Sequence, residues 1–171
     1  MADHRGLRVL GIDPGLTRMG YGAILEVSGT LSALECGTLR TDPSVSIESR
    51  LGDLFDQLSD VFSRVSPDSV GIEKVFLKLN ALSAIPAIQA AGVALLVAGR
   101  LGIPVHEYSL AQVKKAVVGT GTASKEQVRY MVDRLLGKVV DVPTADASDA
   151  LGIAITHLNS HRIERMIGAT G

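Results

Sequence analysis

Four acidic residues stand where an acid has chemical consequences. Asp13 closes the apolar run Leu7–Asp13 and is followed at once by Pro14 and Gly15. Aspartate favours turns, which alone accounts for its place, yet strand ends in open α/β sheets are also where ligands sit. Glu73 interrupts the apolar run around Val70, Ile72 and Val75. An ionised carboxylate buried without a partner is costly, so Glu73 is expected to meet a lysine, solvent at an edge, or a metal. Asp146 and Asp149 share one face of a helix by their spacing. The helix dipole explains either acid singly. It does not explain two on one face of a segment that is almost wholly apolar after them, where like charges repel unless a cation intervenes. Oxygen ligands without cysteine or paired histidine suit Mg²⁺ or Mn²⁺. Two such ions about 3.5–4 Å apart activate water and stabilise a leaving oxygen in phosphodiester hydrolysis.

The elements that must position these acids follow from pattern. Leu7–Asp13, Met19–Val27 and Thr30–Arg40 read as strands, the last two joined tightly at Ser28-Gly29 as an antiparallel hairpin. Ile47, Leu51, Leu54, Phe55, Leu58, Val61, Phe62 and Val65 recur at helical spacing, and Ser66-Pro67-Asp68 stops that helix. A short strand, Ser69–Val75, carries Glu73. A small-residue helix ending near Gly102 precedes a strand from Ile103 to Tyr108. Ser109 with Gln112 and Ser124 with Gln127 match capping boxes and mark two helix starts around the loop Gly119–Thr122. A last helix is expected from about Thr144 to Asn159, with a loose tail over about 160–171. A hairpin continued by βα units gives an α/β fold: a mixed five-stranded sheet with helices on both faces.

Bulk properties bound the function. The 171 residues fit one domain with one sizeable core, and 46% hydrophobic against 20% charged residues implies a globular chain. Cys36 is the single cysteine, so no internal disulfide forms. With no secretory signal at the start, a cytoplasmic location is expected. Ala81–Gly99 lacks charge and is long enough for a membrane span. Its Ser83, Pro86, Gln89, Gly92 and many alanines favour instead a helix buried in the core or against a second subunit, and no membrane. The formal net charge of -1 argues mildly against a nucleic-acid partner, although four acids neutralised by two divalent ions would no longer act as negative surface. Lys114, Lys115, Lys125 and Arg129 flank the Gly119–Thr122 loop. Lys115 and Arg129 read as solvated charges. Lys114 and Lys125, at or near helix N-termini, suit phosphate contact. Phe55 and Phe62 belong to the amphipathic helix, whereas Phe76 follows a strand among Lys74 and Lys78, where a ring serves as core, interface or a stacking surface for an unpaired base.

Four segments in order, Gly11-Ile12-Asp13-Pro14-Gly15, Ile72-Glu73-Lys74-Val75-Phe76, Gln112-Val113-Lys114 and Ala145-Asp146-Ala147-Ser148-Asp149-Ala150-Leu151, resemble the successive motifs of the RuvC-type Holliday junction resolvases. The resemblance spans about residue 8 to residue 158. It implies a ribonuclease-H-like fold, a homodimer, and paired symmetric nicks in a four-way DNA junction during recombination and repair. It also implies collaboration with a junction-binding protein and a branch-migration motor. Asp13, Glu73, Asp146 and Asp149 take the catalytic, metal-binding positions, with two Mg²⁺ or Mn²⁺ ions. Lys114 and Lys125 match lysines near the scissile strand, and Phe76 matches a phenylalanine near the junction centre. One stretch departs: relatives commonly show Leu-Gly-Gln-Ala-Arg-Gly where this chain has Ala87-Ile88-Gln89-Ala90-Ala91-Gly92. DNA contacts or dimer packing made by that helix are therefore open.

Two other readings compete. Gly11–Thr17 also resembles the first phosphate loop of actin-type and sugar-kinase phosphotransferases, but those need two such domains and leave Asp146 and Asp149 unexplained. A non-catalytic junction-binding module would not require the complete acid set.

Overall fold

The computed structural model describes residues 6–76, 81–137 and 142–168. Its elements, in order, are β1 (Leu7–Asp13), β2 (Arg18–Val27), β3 (Thr30–Arg40), α1 (Ile47–Val65), β4 (Ser69–Glu73), α2 (Ala81–Leu101), β5 (Val105–Tyr108), α3 (Leu110–Val118), α4 (Lys125–Leu135) and α5 (Ala145–Gly168). The strands form one sheet in the order β3-β2-β1-β4-β5. β1 and β2, and β2 and β3, pair antiparallel; β1 with β4 and β4 with β5 pair parallel. The mixed five-stranded sheet predicted from the sequence is present.

Alternation along β1 and β4 sorts residues between two layers. Leu10, Ile12, Val70 and Ile72 join a core built with α1 and α2, which includes Leu54, Leu58, Phe62, Ala94 and Ala98. Val9 faces the other way, into a second core made by α3, α4 and α5 with Val113, Val128, Val132, Leu151 and Leu158. The same alternation sends Gly11 and Asp13 on β1, and Gly71 and Glu73 on β4, to the α5 side.

Glycines govern how close α5 lies. A β-carbon at Gly11 would collide with the Ala150 carbonyl oxygen, and one at Gly20 with the Asp146 carbonyl oxygen. At Gly22 it would lie 2.7 Å from Leu151 Cγ, and at Gly71 2.8 Å from His157 Cβ. The helix is seated on a bare strip of sheet spanning β2, β1 and β4. A polar bolt fastens it further along. Buried His157 on α5 has Nδ1 2.8 Å from Tyr108 Oη and Nε2 2.9 Å from Ser69 Oγ. With two partners the buried ring is satisfied.

One expectation is revised. α5 continues past Asn159 to Gly168. Arg162 on that extension pairs with Glu26 at 3.2 Å and donates to the Gly29 carbonyl, holding the helix to the β2–β3 hairpin. α2 is only half covered. Ala90, Ala94, Val97 and Ala98 are buried, whereas Leu82, Ile85, Ile88, Leu95 and Leu96 are exposed. α2 is helical through Pro86, and its stretch Ala84–Leu101 is long and apolar enough to cross a membrane by length and composition, but one side of it is built into the core beside α1.

The seating of α5 has a direct test. Gly11→Ala forces backbone apart and is expected to destabilise by about 3 kcal/mol or more. Gly52→Ala, at an exposed position of α1 where a β-carbon meets nothing, should stabilise by about 0.4–1 kcal/mol. Urea unfolding midpoints of the two variants should move in opposite directions.

Candidate active site

Asp13 and Glu73 end neighbouring parallel strands; Ile12 and Ile72 are register partners one residue before them. Both acids lie on the sheet face covered by α5, whose first two turns carry Asp146 and Asp149. The start of α5 is pinned by hydroxyls. Thr144 Oγ1 accepts from the Ala147 backbone N–H at 3.1 Å, as an N-cap does, and lies 2.6 Å from Thr38 Oγ1 on β3. Gly20, the register partner of both Asp13 and Thr38, leaves room for the Asp146 backbone.

The four acids act as one electrostatic unit. Asp13 is half-buried, and its carboxyl is pushed up to about 7, first by burial and then by Glu73, Asp149 and Asp146; Lys125 opposes them. Two cations answer the excess negative charge. Arg18 Nη2 lies 3.1 Å from Asp146 Oδ1, and Lys125 Nζ lies 3.4 Å from Asp149 Oδ2. Asp149, with Asp13 and Glu73 behind it, raises the affinity of Lys125 for its proton. Lys114 joins them: a small cleft is lined by Glu73, Lys114, Lys125 and Asp149 over apolar Leu110, Val113 and Val128. Both capping boxes expected from the sequence form, at Ser109/Gln112 and Ser124/Gln127. They set the starts of the two helices that bring Lys114 and Lys125 to this cleft.

The donor set fits a hard divalent cation. Asp146 Oδ2 is buried with no hydrogen-bond partner among the described residues, an arrangement that costs free energy unless something positive faces it. The surrounding ligands are carboxylate oxygens. Among the described residues no three acidic, histidine or cysteine side chains are already gathered tightly enough to cage an ion; Asp146 and Asp149 lean on Arg18 and Lys125 instead.

Phe76 lies three residues beyond Glu73, more than half exposed, with Lys74 Nζ 5.6 Å from its ring centre. It is not a core residue. Lys78 falls outside the described residues. Arg18 and the Thr38–Thr144 pair went unforeseen. Thr144 carries the signature of a helix cap after Pro143, but its hydroxyl partner is more than a hundred residues away. Arg18 shows no spacing or motif that separates it from any other surface arginine.

A mixed α/β sheet whose adjacent strand ends and covering helix bring acids together, flanked by lysines, defines a nuclease of the ribonuclease-H-like class. Comparison with known proteins narrows this. The family model described as crossover junction endodeoxyribonuclease RuvC matches residues 9–157, and the chain belongs to that family. The crossover junction endodeoxyribonuclease RuvC of Pelobacter propionicus is 45% identical over 159 residues, covering 93% of this chain and 90% of the relative. That of Aeromonas hydrophila is 46% identical over 155 residues, covering 91% and 88%. The structure of T. thermophilus RuvC in complex with Holliday junction substrate superposes with a TM-score of 0.85 at 32% identity, covering 92% of this chain and 96% of the other. The yeast mitochondrial Holliday junction resolvase Ydc2, at 14% identity and a TM-score of 0.63, covering 91% and 81%, shares the fold.

The crowding of charge predicts a pH signature in the metal-free protein. Asp13 is raised above its ordinary 3.8, so its contribution to folding is fullest below about pH 4 and is lost as pH rises through about 7. His157 works the other way. Burial, and then His106 and His161, hold it near 4, below its ordinary 6.5, so its contribution is full above about 6.5 and is lost as pH falls through about 4. Because these slopes oppose, the informative quantity is a difference between two proteins. In chelator at about pH 8, Asp13→Asn should be more stable than the parent by on the order of 4 kcal/mol, and the gap should close toward pH 4. A variant less stable than the parent at pH 8 would contradict the like-charge account.

Proposed function

We propose that this chain resolves four-way DNA junctions by paired symmetric nicks in recombination and repair, as a single nuclease domain over residues 1–171. The carrying observation is that Glu73, Asp149 and Asp146 all act electrostatically on Asp13, within a chain that matches the RuvC family over residues 9–157. A relative of the same fold, 32% identical, has been solved with Holliday junction substrate.

Asp13, Glu73, Asp146 and Asp149 would hold Mg²⁺ or Mn²⁺, two ions per site. When bound, the metal supplies an activated water and neutralises charge on the leaving oxygen. The chain's own residues do the rest. The strand ends and α5 hold the backbone of the four acids at one end of the sheet, so what is left for metal uptake is a change of side-chain partners at Asp146 and Asp149. Lys125 holds Asp149 in the free protein and, with Lys114, presents positive charge on the cleft where a phosphate would enter. Phe76 offers an exposed ring beyond Glu73 on which an unpaired base can stack. A position in the cytoplasm, and work alongside a junction-binding protein and a branch-migration motor, belong to the same reading.

Symmetric nicks need two active sites, and α2 supplies a surface for pairing. Leu82, Ile85, Ile88, Leu95 and Leu96 form an exposed apolar stripe. Ile88, where relatives commonly carry glycine, enlarges it. We place the homodimer contact there.

Three DNAs decide the substrate: a synthetic four-way junction, a linear duplex and an RNA–DNA hybrid, each with and without divalent metal. Symmetric cuts in the junction alone, with metal, are expected. Asp13→Asn should bind the junction and fail to cut it; normal cutting by that variant would refute the catalytic assignment. Leu96→Lys should move the protein toward a monomer in sedimentation, and an unchanged dimer would remove α2 from the interface.

A further inference from the structure

Among the described residues, the lysines lining the acid cleft, Lys114 and Lys125, stand on the side of α3 and α4. On its other side stand two arginines. Arg18 opens β2 and Arg40 closes β3, and the two are register partners, so their side chains leave the same face of the sheet. The next pair on that face is Gly20 with Thr38. Gly20 lies beneath the Asp146 backbone and Thr38 touches Thr144, which identifies that face as the one α5 covers. Both arginines are exposed. Directly opposed like charges across antiparallel strands disfavour one another. Only one of them is answered: Arg18 pairs with Asp146, and among the described residues no carboxylate lies at ion-pair distance from Arg40. Arg50 is close by, but it donates to the hydroxyls of Thr17 and Thr41.

The partner of Arg18 carries the argument further. Asp146 gives one oxygen to the guanidinium and keeps the other buried and unsatisfied. A divalent cation taken up by that carboxylate competes with Arg18 for its charge. Released, Arg18 stands opposite Arg40 with two guanidinium groups facing outward. A phosphodiester oxygen pair suits such donors geometrically as well as by charge.

We propose that Arg18 and Arg40 form a second phosphate-binding edge. It grips the DNA backbone across the active site from Lys114 and Lys125, and Arg18 exchanges Asp146 for a phosphate as metal is loaded. This rests on the nuclease reading above. In it, the scissile strand is held on both sides of the acids, and Arg18 keeps Asp146 in place until its cation arrives.

Two measurements on the intact protein test this, neither of them activity. The first is anisotropy titration of a four-way junction in chelator over a salt series. Arg40→Gln should reduce the slope of log affinity against log salt by about 0.9, the loss of one phosphate contact, and Arg40→Lys should restore it. Arg64→Gln, which removes the same charge from the pair with Glu35 on the opposite face, should leave the slope unchanged. The second is calorimetric titration of Mn²⁺ without DNA. Arg18→Gln should bind the ion several-fold more tightly than the parent, because its competitor is gone. If the parent binds the junction and Arg40→Gln keeps the full slope, the phosphate edge is wrong while the nuclease reading survives. If Arg18→Gln binds Mn²⁺ no more tightly, the exchange is wrong. A parent that fails to bind the junction overturns both readings together.

Discussion

Repulsion among Asp13, Glu73, Asp146 and Asp149 is the interaction on which the rest of this molecule is organised. Unopposed carboxylates would swing apart or take up protons. Here they cannot swing far. Two are fixed at neighbouring strand ends, and two sit on a helix pressed to the sheet at Gly11, Gly20, Gly22 and Gly71. Apolar packing of Leu151, Ile153 and Leu158 in the second core and the His157 contacts with Ser69 and Tyr108 hold α5 against the charge. The cost is visible at Asp13, whose carboxyl is pushed up to about 7, first by burial and then by its acidic neighbours. Burial energy from elsewhere in the fold thus maintains an arrangement that a divalent cation would relieve.

How much of this was legible in the sequence depends on whether the signal was local. Alternation in the strands, the helical spacing of α1 and two capping boxes are written in neighbouring residues, and all are present in the structure. The acids were legible singly as anomalies and jointly only through the order of their motifs. What escaped depends on contacts between distant segments. No window of residues shows that Thr38 will meet Thr144, or that Arg18 will meet Asp146. The end of α5 was misplaced for the same reason. Its last turns are polar and look detachable until Glu26 and the Gly29 carbonyl are found beside Arg162. The choice for α2 between the core and a second subunit stayed open in the sequence, because uniform apolarity does not say which side of a helix the chain itself will cover.

The formal net charge of -1 illustrates how a sum misleads. Asp146 and Asp149 are each matched by a basic residue at the site, Arg18 and Lys125. That still leaves four acids against the three cations Arg18, Lys114 and Lys125, so the metal-free site keeps an excess of negative charge. Divalent ions change the local sum without altering any residue. Bound at the four acids, two such ions would neutralise them and leave Arg18, Lys114 and Lys125 unbalanced around them, turning a negative patch into a positive one. An acidic chain and a polyanionic substrate are compatible on that basis.

Register ties these effects together. Side chains along a strand alternate between faces, so a slip of one residue in β1 or β4 would send Asp13 or Glu73 into the layer of α1 and α2. That layer is lined by Leu10, Ile12, Val70 and Ile72 in the native register. The slip would put those apolar side chains where the glycines now admit α5. It would bury an acid and expel the helix at once. The glycines that allow close approach and the acids of the proposed site occupy the same alternating positions, Gly11 with Asp13 and Gly71 with Glu73. Correct pairing of β1 with β4 is thus a condition of the fold and of the site together, and a register error destroys the core before it can produce a folded, inactive enzyme.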